Sequence, residues 1–428
     1  MKETKKEIKE LHEIFLKHPV IKRDNREVQP GDIFWALKGE KHDGNRFAVD
    51  ALKRGAHIAV VDDKKLNLIK EKRFFWVENT LQALQDLAHL HRDYVGMPLI
   101  GITGSNGKTT TKELVHAVLS QKYNTSATKG NYNNHIGVPL TLLDIPEDTD
   151  IAVVEMGSNH FGEIKKLSQI ANPDFGIITS IGKAHLEFFK DEKGVFNEKK
   201  ALFEHIKNNN GFVFVNADDP WIQKAAEGLQ TYSFSYQNNP AQVQLQNISD
   251  SAQLKIKLND TIIQTRLTGL YNLSNIGYAI TVGKFFNISD QQIKSALENY
   301  VPQNMRSQII EKKGNLIILD TYNANPTSMK AALQNLLRMH ASHKIAILGD
   351  MFELGESATR EHQAIVDFAA QNQIEAYLIG ENFALTQSNF PKFKTTTEFV
   401  KSGIFDRLKN SHILIKGSRG MQLEKIVE

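Results

Sequence analysis

Pro98-Leu99-Ile100-Gly101-Ile102-Thr103-Gly104-Ser105-Asn106-Gly107-Lys108-Thr109-Thr110-Thr111 runs from an apolar, strand-like segment into a turn bracketed by glycines, and a helical pattern over 112–119 follows at once. Strand, Gly-rich turn and helix start in that order make a phosphate-binding loop. The glycines let backbone N–H groups wrap phosphate oxygens, Lys108 reaches the outer phosphates, and the Thr109 hydroxyl can ligate Mg2+. Gly104, Asn106, Gly107, Lys108, Thr109 and Thr110 are therefore the expected contacts to a nucleoside triphosphate. Position 102 is Ile, so the loop has the short form Gly-x-x-Gly-Lys-Thr, which indicates the general class but not the subclass. A plain Gly-Asn turn with an exposed lysine would not need three threonines, which are poor helix formers, where hydroxyls can face a ligand.

The chain has 428 residues, a net charge of +3 and no cysteine. At about 100–200 residues per domain this predicts two to four domains. Disulfides, thiolate ligands and a cysteine nucleophile are excluded, so a metal would be held by oxygen and imidazole, which favours Mg2+. The charged residues 1–10 read as a helix start rather than a secretory signal, and no apolar run approaches the roughly 18 residues of a membrane span. A soluble, cytoplasmic protein is expected. No basic block carries interleaved aromatics, so nucleic acid is not an expected partner and a small anionic substrate fits better.

The apolar patterns divide the chain. Residues 1–96 read as a small α/β unit with short strands over 32–37, 57–61 and 74–77, a turn at Gln29-Pro30-Gly31-Asp32 and a polar loop over 39–45. Gly96-Met97-Pro98 reads as a linker. From 97 to 303, apolar runs at 150–155, 175–180 and 211–216 alternate with helical stretches, which predicts a parallel, doubly wound sheet. Residues 231–267 change to a Gln/Asn/Ser-rich, period-two pattern and are expected to form an antiparallel annex. From 304 to 428 the βα rhythm restarts, with strands expected at 316–319, 345–348, 376–379 and 413–415, as a Rossmann-like third domain.

In open α/β sheets ligands bind beyond the carboxyl ends of the strands. Two expected strands lead into Glu155-Met156-Gly157-Ser158-Asn159-His160 and Ile181-Gly182-Lys183-Ala184-His185. With Thr109, Glu155 and His185 form a candidate Mg2+ set, although imidazole is an unusual partner for so hard an ion. Glu155 reads equally as a cap or salt-bridge residue, and His185 as a hydrogen-bonded loop histidine. Gly130-Asn131-Tyr132-Asn133-Asn134-His135-Ile136-Gly137 gathers amides and an aromatic face suited to sugar hydroxyls or peptide carbonyls, or to capping its own backbone. Arg306 can neutralise phosphate, and Asp320, in Asp320-Thr321-Tyr322-Asn323-Ala324-Asn325-Pro326, can bind ribose hydroxyls. Lys416-Gly417-Ser418-Arg419-Gly420 offers two cations beside a flexible backbone, as an acidic substrate requires.

Together these strings, in this order along essentially the whole chain, resemble the Mur ligases, ATP-dependent amide-forming enzymes of peptidoglycan precursor synthesis. Gly130 to Pro139, Glu155 to His160 and Tyr322-Asn323-Ala324-Asn325-Pro326 most resemble the member that adds D-alanyl-D-alanine to UDP-N-acetylmuramoyl-tripeptide. Pro30-Gly31-Asp32-Ile33-Phe34 and Ala36-Leu37-Lys38-Gly39 resemble its UDP-substrate domain, and Gly349-Asp350-Met351-Phe352-Glu353-Leu354-Gly355 its third domain. The resemblance implies three α/β domains, at 1–96, 97–303 and 304–428, and a monomer. It also implies an acyl phosphate formed from the tripeptide carboxylate and ATP, then displaced by the dipeptide amine.

It implies roles for particular residues as well. Lys108, Glu155, His185 and Lys199 are the expected catalytic set, with Thr109, Glu155, His185 and Lys199 around two Mg2+ ions. Lys199 matches a lysine carried as a carbamate (N6-carboxylysine), although alone it reads as a helix-surface lysine, and Lys200 leaves the register open by one. Asn272 and Asn275 match an adenine-contacting helix start and, with Arg306 and Asp320, complete the ATP set. Lys38, Asn131, Asn133, Asn134, Asn159, His160, Tyr322, Asn323, Lys416, Ser418 and Arg419 are expected at the substrates. The alternatives are another Mur ligase step, or a folylpolyglutamate synthetase-like amide ligase, which shares the short loop but lacks the UDP-binding domain.

Overall fold

The computed structural model describes residues 5–40, 42–67, 71–250, 252–302, 305–341 and 343–428. The chain is α/β throughout, as its patterning predicts, and carries three sheets. It packs as two compact units, one made of 1–101, 123–157 and 163–175, the other of 102–122, 158–162 and 176–428.

The first unit holds a parallel sheet of Ile21–Lys22 (β1), Ile33–Trp35 (β2), Ile58–Val61 (β3) and Phe74–Trp76 (β4), in the order β1-β2-β3-β4. Val28, Phe34, Ala36, Ala48, Ala51, Leu52, Ala59 and Val61 form its core. Two helices, Lys6–Lys17 and Thr80–Val95, belong to the same unit. The second begins where Asn79 accepts from the Gln82 N–H and ends at Gly96, whose φ of 70° suits a glycine C-terminal cap. Leu99–Thr103 (β5), Thr125–Ala127 (β6), Ile151–Glu155 (β7) and Phe175–Ile178 (β8) follow; β6 and β7 lie in this unit and pair in parallel, while β5 and β8 are each divided between the two units.

Between the two helices, His12 Nε2 lies 3.2 Å from His91 Nδ1, with Phe15 and Tyr94 against the rings. Burial, and then the neighbouring His12, push His91 down to about 4. A histidine held neutral in the folded state binds fewer protons than in the unfolded chain, so its contribution is complete above about pH 6.5 and is lost as pH falls towards 4. The shift is worth at most about 3 kcal/mol, and about 1–2 kcal/mol after solvent screening. Thermal midpoints measured from pH 7 to 4.5 should therefore fall more steeply for the native protein than for His91→Gln. Parallel curves would contradict this.

In the second unit the order is β13-β12-β11-β10-β9-β8-β5, with Phe212–Asn216 (β9), Gln230–Ser235 (β10), Val243–Asn247 (β11), Gln253–Leu258 (β12) and Thr261–Thr268 (β13). The expected annex is antiparallel only from β11 outward. β10 pairs parallel with both β9 and β11, because alternation specifies a half-buried strand and not its neighbour's direction. The third sheet runs β14-β15-β19-β16-β17-β18, from Gln308–Lys312 (β14), Asn315–Asp320 (β15), Lys344–Gly349 (β16), Glu375–Ile379 (β17), Lys392–Phe393 (β18) and His412–Lys416 (β19). β14 is its antiparallel edge, and apolar clusters cover both faces. Among the described residues no helix is long and apolar enough to cross a membrane.

Candidate active site

In the second unit β5 delivers the phosphate loop. Gly104 has φ 146° and Gly107 φ 83°, and a Cβ would collide with Thr179 Oγ1 at the first and with Asn275 Oδ1 at the second, so both positions demand glycine. The loop is laced to the segment after β8. Thr179 Oγ1 donates to Asn106 O at 2.6 Å, Ser180 Oγ accepts from Asn106 N at 3.1 Å, and Ser105 Oγ accepts from Gly182 N at 3.1 Å. The helix is Lys108–Leu119 and so begins at the lysine itself, four residues before the pattern-based start. Lys108 Nζ donates to Gly104 O at 2.7 Å, and Thr109 is buried. Asn272 and Asn275 open the helix Tyr271–Phe285 in a relay: Thr111 Oγ1 donates to Asn275 Oδ1, Asn275 Nδ2 to Asn272 Oδ1, and Asn272 Nδ2 to Thr268 O, at 3.0, 2.7 and 2.7 Å.

Lys199 is not a surface lysine. It is 1% exposed on the helix Glu192–Asn208, and its Nζ donates to Ser158 Oγ at 2.7 Å. Lys200 pairs instead with Glu204 at 3.2 Å on the outer face, so of the two lysines Lys199 is the buried one. Asn159 and His160 are exposed, with the His160 ring 4.2 Å from that of Phe188. His185, in the left-handed region at φ 50°, brings Nδ1 to 2.5 Å from Glu353 Oε2, and this contact is the first cause holding the Glu353 carboxyl below its ordinary range.

The third-sheet residues form a group of their own in the same unit. The Arg306 guanidinium stacks 3.7 Å from the Tyr322 ring centroid, and its Nε is buried with no hydrogen-bond partner. Flanking Met305 and Ser307 are both left-handed, at φ 56° and 49°. Asp320 Oδ1 accepts from Ser307 N at 3.3 Å, and Oδ2 from the buried Lys416 Nζ at 2.6 Å. Lys416 also donates to Asn323 O at 3.1 Å. Ser418 Oγ accepts from Phe352 N at 2.9 Å, and Arg419 lies 3.4 Å from Glu424. Asn325 and Lys183 carry weight that sequence reasoning missed. Asn325 Nδ2 donates to Asn106 Oδ1 at 2.8 Å, and Lys183 Nζ reaches both oxygens of buried Glu361 at 2.8 and 3.1 Å. Asn325 is legible in the sequence as the N-cap immediately before Pro326, but nothing local signals its bond to Asn106.

In the first unit Glu155 ends β7 and is 2% exposed. Its Oε1 accepts from Asn133 Nδ2 at 2.8 Å, while Oε2 is buried with no hydrogen-bond partner. A buried carboxylate oxygen left without a donor suits a cation, so the donor set fits Mg2+ on this count. Among the described residues no three His, Asp or Glu side chains are grouped to hold a metal, so hydroxyl and phosphate oxygens or a modified lysine would have to complete the shell. Within the Asn-rich loop, Asn134 caps the helix Gly137–Leu143 through the Ile136 and Gly137 N–H groups at 3.1 and 2.8 Å, and Asn131 is exposed. Lys38 pairs with Asp62 at 2.9 Å. A cavity of about 600 Å3, within the usual range for small-ligand sites, is lined by Lys22, Arg23, Lys129 and Tyr132, with Arg23 5.8 Å from the Tyr132 centroid. Lys22 and Arg23 are adjacent in sequence, and the fold brings to them Lys129, which is paired with Asp144 at 2.5 Å; Asp24 and Glu27 line the same cavity.

A short phosphate loop fed by a doubly wound sheet, followed by a second α/β sheet carrying Arg306, Asp320 and Lys416, defines a nucleotide-dependent α/β enzyme. The chain matches the Mur ligase family, catalytic domain over 20–92, the Mur ligase middle domain over 102–283, and the Mur ligase, glutamate ligase domain over 305–418. It is 35% identical to the UDP-N-acetylmuramoyl-tripeptide--D-alanyl-D-alanine ligase of Bacillus subtilis (strain 168), covering 95% of this chain and 91% of that one. Among solved structures it resembles MurF from Acinetobacter baumannii at a TM-score of 0.85 and 30% identity, over 95% of this chain and 92% of that one. It also resembles MurF ligase from Thermotoga maritima in complex with ADP, at 0.85 and 28%, over 96% and 97%. The chain belongs to the Mur ligase family, the ATP-dependent ligases of peptidoglycan precursor synthesis.

Proposed function

We infer that this protein joins D-alanyl-D-alanine to UDP-N-acetylmuramoyl-tripeptide, cleaving ATP to ADP and phosphate. The observation that carries the reading is likeness along 95% of the chain to a ligase so named, at 35% identity. The tripeptide's terminal carboxylate attacks the γ-phosphorus and ADP leaves, giving an acyl phosphate. The dipeptide amine then adds to the acyl carbon, and the tetrahedral intermediate expels phosphate and loses a proton.

Two anions must meet in the first step, so the residues act by positioning and charge. Backbone N–H groups of 104–109 hold the phosphates. Lys108 exchanges its Gly104 carbonyl for γ-phosphate oxygen, and Arg306, stacked on Tyr322 with a free Nε, is the second cation. Asn272 and Asn275 keep the helix start beside the loop for the adenine end, and Asp320, anchored by Lys416, meets the ribose. Thr109, Glu155, His185 and Lys199 as a carbamate would hold Mg2+. When bound, the metal offsets phosphate charge. Burial of Lys199 beside Ser158 supports the carbamate, because an amine that adds CO2 and loses a proton becomes an oxygen donor.

The cavity lined by Lys22, Arg23, Lys129 and Tyr132, together with Asp24, Glu27 and Asp144, is the candidate for the uridine diphosphate of the acceptor, and Lys38 and the Asn-rich loop belong to the same unit. Asn131, Asn133, Asn134, Asn159 and His160 serve the muramoyl peptide, and Tyr322, Asn323, Ser418 and Arg419 the dipeptide side. We assign functional domains to 1–96, 97–303 and 304–428, supported by the three sheets; the junction at 303–304 lies outside the described residues. A monomer in the cytoplasm, where UDP-linked precursors are made, completes the reading.

Phosphate release with UDP-N-acetylmuramoyl-tripeptide should require D-alanyl-D-alanine, with single amino acids and glutamate giving under about a tenth of its kcat/KM, a loss of about 1.4 kcal/mol or more. Turnover with a single amino acid at the dipeptide's rate would assign the chain to another step of the family. Turnover with a folate substrate would point to the folylpolyglutamate type.

A further inference from the structure

The motif Gly349-Asp350-Met351-Phe352-Glu353-Leu354-Gly355 takes no part in the chemistry derived above, yet it sets a carboxylate against a candidate metal ligand. Glu353 Oε2 stands 2.5 Å from His185 Nδ1, but off the N–H axis, so that the two touch without an aligned hydrogen bond. Both residues are left-handed, His185 at φ 50° and Glu353 at φ 61°; histidine is enriched in that region, whereas glutamate is not, so the strain lies at Glu353.

Glu353 and the loop around it are pinned from several sides. Glu187 N donates to Glu353 O at 3.1 Å, Met351 N to His362 Nε2 at 3.0 Å, and Phe352 N to Ser418 Oγ at 2.9 Å. A Cβ on Gly355 would stand 3.2 Å from Glu187 Cα, so the loop fits closely against the His185 segment. Backbone strain that surrounding contacts over-determine is a reason to look for what the strained side chains do.

An imidazole offers a lone pair to a cation from only one nitrogen at a time, and the partner of the other nitrogen decides which. We propose that Glu353 is a positioning residue that keeps the His185 proton on Nδ1 and so presents the Nε2 lone pair to the metal. The off-axis contact then aligns when a cation draws the ring into place, as hydrogen bonds of unliganded sites commonly do. This rests on the reading of His185 as a metal ligand. It gives the 349–355 loop a role in the chemistry, because the tautomer is set only while that loop is docked on the 179–189 segment.

The test uses full-length protein carrying 15N-labelled histidine, without metal, with His185 resonances identified by their loss in His185→Gln. The native protein should show Nδ1 protonated and Nε2 bare. Glu353→Asn suits the left-handed backbone but is one methylene too short, and should give mixed tautomers and an Mn2+ affinity at least about tenfold weaker, read by electron paramagnetic resonance with a non-hydrolysable ATP analogue. Glu353→Gln, whose amide oxygen still accepts, should restore the Nδ1–H tautomer. Native nitrogen shifts in Glu353→Asn, with Mn2+ binding weakened in His185→Gln, overturn the proposal alone. Unchanged Mn2+ affinity in His185→Gln overturns the metal reading and the proposal with it.

Discussion

Lys108→Ala should lower turnover by about three orders of magnitude or more while leaving binding of the UDP-linked substrate intact. The magnitude follows from what the lysine does. Attack of a carboxylate on a phosphate dianion needs its repulsion offset in a site where water cannot screen it, and removing one such cation typically costs about 10^3-fold or more. The side chain is in place for this: its Nζ rests on Gly104 O at 2.7 Å, a neutral contact it can exchange for phosphate oxygen without moving the loop. The loop itself does not depend on that contact. Gly104 and Gly107 are fixed by close approach to Thr179 and Asn275, and the hydrogen bonds of Thr179, Ser180 and Ser105 hold the turn. The variant should therefore fold, and its loss should fall on kcat. Calorimetry with the UDP substrate reads binding apart from turnover, at the cavity proposed for it in the first unit. Phosphate release near the native rate would remove Lys108 from the reaction.

Much of this arrangement is legible in the sequence because the loop's chemistry is local. A strand, two glycines, a lysine and a helix start are contiguous, and their roles need no tertiary information. The choice between Lys199 and Lys200, by contrast, stays open in the sequence and is made by the fold. Val195, Phe196, Leu202, Phe203 and Ile206 are buried on one helical face, and Lys199 falls on that face where Lys200 does not. What the sequence hides is either short or distant. β1 and β18 are two residues each, too short for any periodicity to register. The partnerships of Asn106 with Asn325, Lys183 with Glu361 and His185 with Glu353 join residues more than 160 positions apart, and no spacing rule reaches that far. Asn134 shows a third limit. Among four neighbouring polar residues, one caps a helix and another holds Glu155, a division that depends on which amide the backbone turns inward.

Lys199→Ala should abolish activity, and the way it can be restored distinguishes a metal-supporting carbamate from a structural lysine. The side chain is 1% exposed, its Nζ donates to Ser158 Oγ and stands 5.8 Å from the Phe189 ring centroid. As an ammonium it would repel the proposed metal; as a carbamate it would supply two oxygens of the kind a hard cation prefers. Alanine removes the nitrogen that accepts CO2, so bicarbonate should not rescue the variant. A short carboxylic acid in excess should restore part of the activity by entering the vacated space as a separate carboxylate. Native protein made with 13C-labelled bicarbonate should show one carbamate carbon that Lys199→Ala lacks and Lys200→Ala keeps, since Lys200 is engaged with Glu204 on the outer face. Truncating a buried side chain also costs about 2–5 kcal/mol through the cavity it leaves, so thermal melting must show the variant folded at the assay temperature. A folded Lys199→Ala enzyme with native activity would remove the carbamate from the mechanism, and so would a native protein that carries no labelled carbamate while fully active.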